Sequence, residues 1–141
     1  MSEDATVDAV IAALEAVGEL VLSLQGESMG AGWTRVNQIR VVASSLRAPR
    51  WGDVVLFERY GRLYAHRLIF RIGLHCWTKG DGRWAVDAPA IQRDEIKGVV
   101  LALVFSDGST RPLRWRKMNA LCQFLRALAA APWLFMRGRA G

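Results

Sequence analysis

Ser28 stands in the tetrapeptide Gly26-Glu27-Ser28-Met29, where an alternating apolar run ends. A serine on a tight turn at a strand end projects its hydroxyl, and backbone N–H groups of the same turn can converge on one point, the arrangement that stabilises an oxyanion. The hydroxyl is a poor nucleophile until a base within hydrogen-bond reach removes its proton, and histidine is the usual base. The chain has two histidines, His66 and His75. His75 precedes Cys76 and Trp77 in a β-rich run. Neighbours along a strand point to opposite faces, so His75 and Cys76 are poorly placed to form a Cys-His pair, and His75 reads as structural or surface. Cys76 and Cys122 are far apart and lack metal-like spacing. No disulfide framework, zinc site or other cofactor is expected, and both read as buried thiols.

The elements that must position these residues follow from periodicity. Residues 5–17 set Val7, Val10, Ile11 and Leu14 on one stripe, with Asp4 and Asp8 near the positive N-terminal end, which predicts a helix. From Glu19 the period falls to two: Leu20, Leu22 and Leu24 alternate with Val21, Ser23 and Gln25, a strand running into Gly26. Residues 36–43 and 53–59 are β-rich and are separated by the polar, proline-containing stretch 44–50. Residues 62–72 follow Tyr60-Gly61 as the second arm of a hairpin. Residues 74–79 and 98–106 supply further strands, and Asp107-Gly108-Ser109 turns into residues 110–116. Over residues 118–136, Met118, Leu121, Cys122, Leu125, Leu128, Ala129 and Pro132 share one helical face and Asn119, Gln123 and Arg126 a narrow polar one. That pattern predicts an amphipathic helix packed on the core or lying at an interface; Gln123, Arg126 and Pro132 interrupt a stretch barely long enough to span hydrocarbon. The expected organisation is a mainly β domain over 1–117 with a short N-terminal helix, then a basic amphipathic helix over 118–141.

A chain of 141 residues that is 52% hydrophobic with six Trp is too apolar for a disordered tail and fits one packed domain. Its net charge of +6 is unevenly spread. Six acids and no Lys or Arg precede Arg35; after Asp107 there is no acid, while Arg111, Arg114, Arg116, Lys117, Arg126, Arg137 and Arg139 are all basic. This polarity points to an anionic membrane surface as a partner. Trp115 and Trp133 lie among these residues, yet the basic side chains flank an apolar helix and do not track a groove, which disfavours nucleic acid. The N-terminus lacks a basic region followed by a long apolar core. No signal peptide or leading anchor is expected, and the expected location is cytoplasmic, at most peripheral to the membrane.

Four stretches occur in order: Ser28-Met29, then Gly52-Asp53-Val54-Val55-Leu56-Phe57, then His66-Arg67-Leu68, then Thr78-Lys79-Gly80-Asp81 with Asp87. This succession, over roughly residues 20–100, resembles the boxes of the signal peptidase I family of serine peptidases. Because His66 precedes Arg67 where many members carry Lys, the resemblance is to the Ser-His branch. It implies a coiled antiparallel β-sheet or barrel edged by the two helices. It also implies a serine endopeptidase that cleaves an extended precursor or leader peptide after small residues through an acyl-enzyme. Ser28 would be the nucleophile and His66 the general base, since an imidazole ordinarily titrates near 6.5 and can both accept and return a proton. Asp87, or else Asp81, would orient the imidazole. Lys79 is the one lysine inside the boxes and the alternative base. Ala31 stands where the family places a proline, which supports a second reading, an inactive relative serving as a peptide-binding or membrane-docking module.

Overall fold

The computed structural model describes residues 3–25, 29–113 and 116–137. Helix α1 spans Glu3–Val17 and strand β1 Glu19–Ser23, with Gly18 between them at φ +90°. The Gly18 N–H donates to the Leu14 carbonyl at 2.8 Å, the left-handed glycine cap that ends a helix without orphaning its last carbonyls. There follow β2 (Val36–Ala43), β3 (Val54–Arg59), β4 (Arg62–Ile72), β5 (His75–Lys79), the two-residue β6 (Ile91–Gln92), β7 (Ile96–Phe105), β8 (Thr110–Pro112) and α2 (Arg116–Arg137). Tyr60 and Gly61, at φ +55° and +71°, form the two-residue turn of the β3–β4 hairpin, whose left-handed residues match the twist of the flanking strands.

The eight strands make one antiparallel sheet in the order β1-β2-β7-β3-β4-β5-β6, with β8 on β7 beyond the end of β3. The sheet is not closed into a barrel. Strand β6 escapes periodicity because two residues carry no period. Residues 110–116 do not form one strand: β8 ends at Pro112, whose nitrogen cannot donate to a ladder, and Arg116 already begins α2.

Strand β3 is buried on both faces, with Val54, Val55, Leu56 and Phe57 all at most 3% exposed. Val54 and Leu56 join Leu14, Ile39, Val41 and Val100 in one core cluster. Val55 and Phe57 join Leu68, Cys76, Ile91 and Ile96 in the other. Leu14 of α1 presses on the sheet over Gly98, where a Cβ would lie 2.5 Å from Val41 Cγ1 and 2.9 Å from the Val42 carbonyl oxygen. Only glycine fits there, and that close approach seats α1 against the sheet.

Helix α2 packs with Gln123 and Arg126 of its polar side inward, while Asn119 is exposed. Ala120 is fully buried, the Phe124 ring lies tilted against Phe70 of β4 with centroids 5.8 Å apart, and Gln123 and Arg126 reach β5 and the turn after it. Met118, Leu121, Leu125 and Leu128, the apolar stripe, are 49–57% exposed. No helix among the described residues is long and apolar enough to cross a membrane.

Candidate active site

Antiparallel pairing of β3 with β4 sets His66 opposite Val55, so the imidazole shares a face with Phe57 and Tyr64. Both rings lie edge-on to it, with centroids 6.1 and 5.8 Å away, and His66 is only 4% exposed. Thr78 pairs with Leu68, two residues beyond His66, and therefore lies on the same face. Asp87 follows in the loop after β5; its N–H donates to the Thr78 carbonyl at 2.8 Å, which lays its side chain beside Thr78. His66 Nδ1 and Asp87 Oδ2 are 2.5 Å apart, and Thr78 Oγ1 donates to the same Oδ2 at 2.8 Å. A carboxylate only accepts, so Nδ1 carries a proton toward it and Nε2 is left as the basic nitrogen. Arg59 steadies the loop by donating to the Ala88 and Pro89 carbonyls at 3.2 and 2.5 Å.

Arg67, next along β4, must point to the opposite face. It is 2% exposed and pairs bidentately with Asp81, Nε to Oδ1 at 2.8 Å and a terminal nitrogen to Oδ2 at 2.6 Å, while its other terminal nitrogen donates to the Gly52 carbonyl at 2.9 Å. Of the two carboxylates expected near His66, Asp87 reaches it, and Asp81 is committed to Arg67. Asp53 is equally internal in role: it is 3% exposed and accepts from the Arg50 N–H at 2.8 Å and from Arg47 at 3.3 Å.

Ser28, with Gly26 and Glu27, lies outside the described residues. Its flanking segments are placed. Gln25 and Met29 line the same cleft as His66 and Asp87, a space of about 980 Å³ walled also by Leu22, Leu24 and Tyr64 and by Val7 and Val10 of α1. Met29 is 5% exposed, its sulfur accepts the Asp81 N–H at 3.4 Å, and a Cβ on Gly30 would lie 2.9 Å from Gly82 Cα. Met29 and Gly30 are thus clamped to the turn that Arg67 holds, and Arg67 is one residue from His66.

Lys79 lies on the Arg67 face, away from His66, with no exposed surface. Its Nζ donates to the Gly80 carbonyl at 3.1 Å and to Gln123 Oε1. Burial, reinforced by the Arg126 guanidinium, brings its pKa from 10.5 down to about 8 against the opposing pull of Asp81 and Asp87. It braces α2 and does not approach the imidazole. His75 is exposed on β5, and Cys76 faces inward at 1% exposure, where burial pushes its thiol up. Cys122 is exposed, against the expectation of two buried thiols, because α2 turns that side outward. Thr78, Gln123 and Arg126 received no role in the site from sequence; for Thr78 the signal was present, since period two along β5 separates it from Lys79.

No protein-family model, curated protein or solved structure matches this chain.

Proposed function

We propose that this chain is a serine endopeptidase with a sheet of the signal-peptidase type, Ser28 acting as nucleophile, His66 as general base and Asp87 as the orienting carboxylate. The observation that carries the reading is the His66 Nδ1 to Asp87 Oδ2 contact of 2.5 Å in a cleft whose wall includes Gln25 and Met29, which precede and follow Ser28 in the chain. Nε2 takes the Ser28 proton as Oγ attacks the scissile carbonyl, and the imidazolium that forms is stabilised by Asp87. The oxyanion would be held by backbone N–H groups at and beside Ser28. The imidazolium returns its proton to the leaving amine, and water activated by the same nitrogen hydrolyses the acyl-enzyme. Among the described residues β1 pairs only with β2, and its Leu22 and Ser23, with Leu24 just beyond it, border the cleft. An extended precursor or leader peptide adds to that edge by backbone hydrogen bonds. Cleavage after small residues follows from the family resemblance, and the peptide is met in the cytoplasm or at its membrane face.

The test is labelling by a fluorophosphonate probe, which needs an activated serine but no knowledge of the substrate. Wild type labels at Ser28, Ser28→Ala does not, and His66→Ala labels orders of magnitude more slowly. A wild-type chain that stays unlabelled, or a His66→Ala variant that labels as fast, overturns the reading and leaves the inactive peptide-binding module.

A further inference from the structure

Gln123 and Arg126 of α2 are spent on β5 and the turn after it, and its apolar stripe is left facing solvent. Met118, Leu121, Leu125 and Leu128 recur at helical spacing with exposures of 57, 49, 55 and 53%. The stripe does not end at the helix. Phe124 lies beside Leu121 and Leu128 on the helical wheel and against Phe70, and beyond Phe70 the β4–β5 hairpin exposes Ile72 at 60% and Leu74 at 64%. The Phe124–Phe70 contact therefore joins the exposed apolar side chains of the helix to those of the hairpin, and clustered exposed apolar side chains mark an interaction surface.

The charge around it selects the occupant. Every charged residue after Asp107 is basic; by the hairpin, exposed Arg71 adds to them, and exposed Arg93 stands beside exposed Asp94 and Glu95. A second copy meeting this face through its own α2 would set two wholly basic segments against each other, whereas an anionic lipid surface complements them. An amphipathic helix with an apolar face and a cationic flank lies in the plane of such a surface.

We infer that this face docks on an anionic bilayer, with Leu121, Leu125 and Leu128 of α2 and Ile72 and Leu74 of the hairpin entering the acyl boundary together. The inference stands whether or not the cleft cleaves peptide. It also links membrane to cleft: Arg126, at the edge of the docking helix, donates to the Asp81 carbonyl at 3.1 Å and covers Trp84 at 4.4 Å, and both belong to the loop that carries Asp87.

The test uses the full chain, labelled at exposed Cys122 with an environment-sensitive fluorophore, and vesicles of phosphatidylcholine with or without phosphatidylglycerol. The expected result is flotation with the phosphatidylglycerol vesicles and a blue shift of the label, weakening at least about tenfold between low and high salt. Leu121→Gln/Leu125→Gln abolishes binding, and Ile72→Ser/Leu74→Ser weakens it by about tenfold or more. These positions are already solvated, so unchanged circular dichroism and melting of each variant show that binding, not folding, was lost. Absence of binding to phosphatidylglycerol vesicles at low salt overturns the proposal, as does full binding by the Leu121→Gln/Leu125→Gln variant. Unchanged binding of Ile72→Ser/Leu74→Ser overturns the hairpin's part. Light scattering that shows a dimer of the wild-type chain without lipid, lost in the α2 variant, assigns the face to a second copy.

Discussion

Thr78 and His66 meet on one oxygen of Asp87, Oδ2, at 2.8 and 2.5 Å. Two donors converging on a single acceptor fix the direction of the carboxylate, and with it the plane of the imidazole. Thr78→Val keeps the side-chain shape and removes one donor. A hydrogen bond to a carboxylate contributes about 1.5–3 kcal/mol, so the expected loss is roughly 10- to 150-fold in the rate of fluorophosphonate labelling, with the labelled residue unchanged. An unaltered rate would mean that Thr78 serves only the fold.

Asp87→Asn should leave the strands in place and remove the charge that stabilises the imidazolium, and an amide at this position can also favour the wrong tautomer. Losses near 10⁴-fold accompany the equivalent change in a serine-histidine-aspartate site. Labelling kinetics beside a melting curve test this, and a loss under tenfold would detach Asp87 from the chemistry.

Asp81→Ala is expected to fail differently. It strands Arg67, 2% exposed, without its bidentate partner, and breaking a buried pair from one side costs about 3–5 kcal/mol. In a domain of this size that lowers the melting temperature by about 10 °C or more. A variant that melts within about 2 °C of wild type would show that Gly52 and solvent suffice for the guanidinium.

Lys79 gives stability a pH dependence of unusual sign for a lysine. Its folded pKa, about 8, lies below the ordinary 10.5 because burial and Arg126 disfavour the charge. Across that window the unfolded chain holds a proton that the folded one has released, so this group makes stability rise with pH from about 8 to 10.5. Below pH 8 the full penalty of burying the ammonium is present. Arg67, Arg126, Asp81 and Asp87 are the charged groups that act on it. Denaturant midpoints of wild type and Lys79→Met, compared from pH 7.5 to 10.5, should show the variant lacking this rise; equal slopes would refute it.

Much of the scaffold was legible in the chain itself. The bounds of β2 and β4 follow from β-rich runs flanked by polar and turn residues, and the hairpin turn from Tyr60-Gly61. Period two also implies that His66 and Arg67 face opposite sides of β4, so that two different carboxylates must serve them. Which one serves which was not legible, because Asp81 and Asp87 both lie after β5, and the β4–β5 register together with the Asp87 N–H bond to Thr78 decides it. The amphipathic character of α2 was equally plain, but not the face it turns inward. A stripe of leucines suggests burial; the sheet beneath α2 instead offers a buried ammonium at Lys79 and an open carbonyl at Asp81. A buried charge needs hydrogen-bond partners more than an apolar surface needs cover. Gln123 and Arg126 therefore face the sheet, and only the folded arrangement of β5 beneath the helix sends the leucines outward.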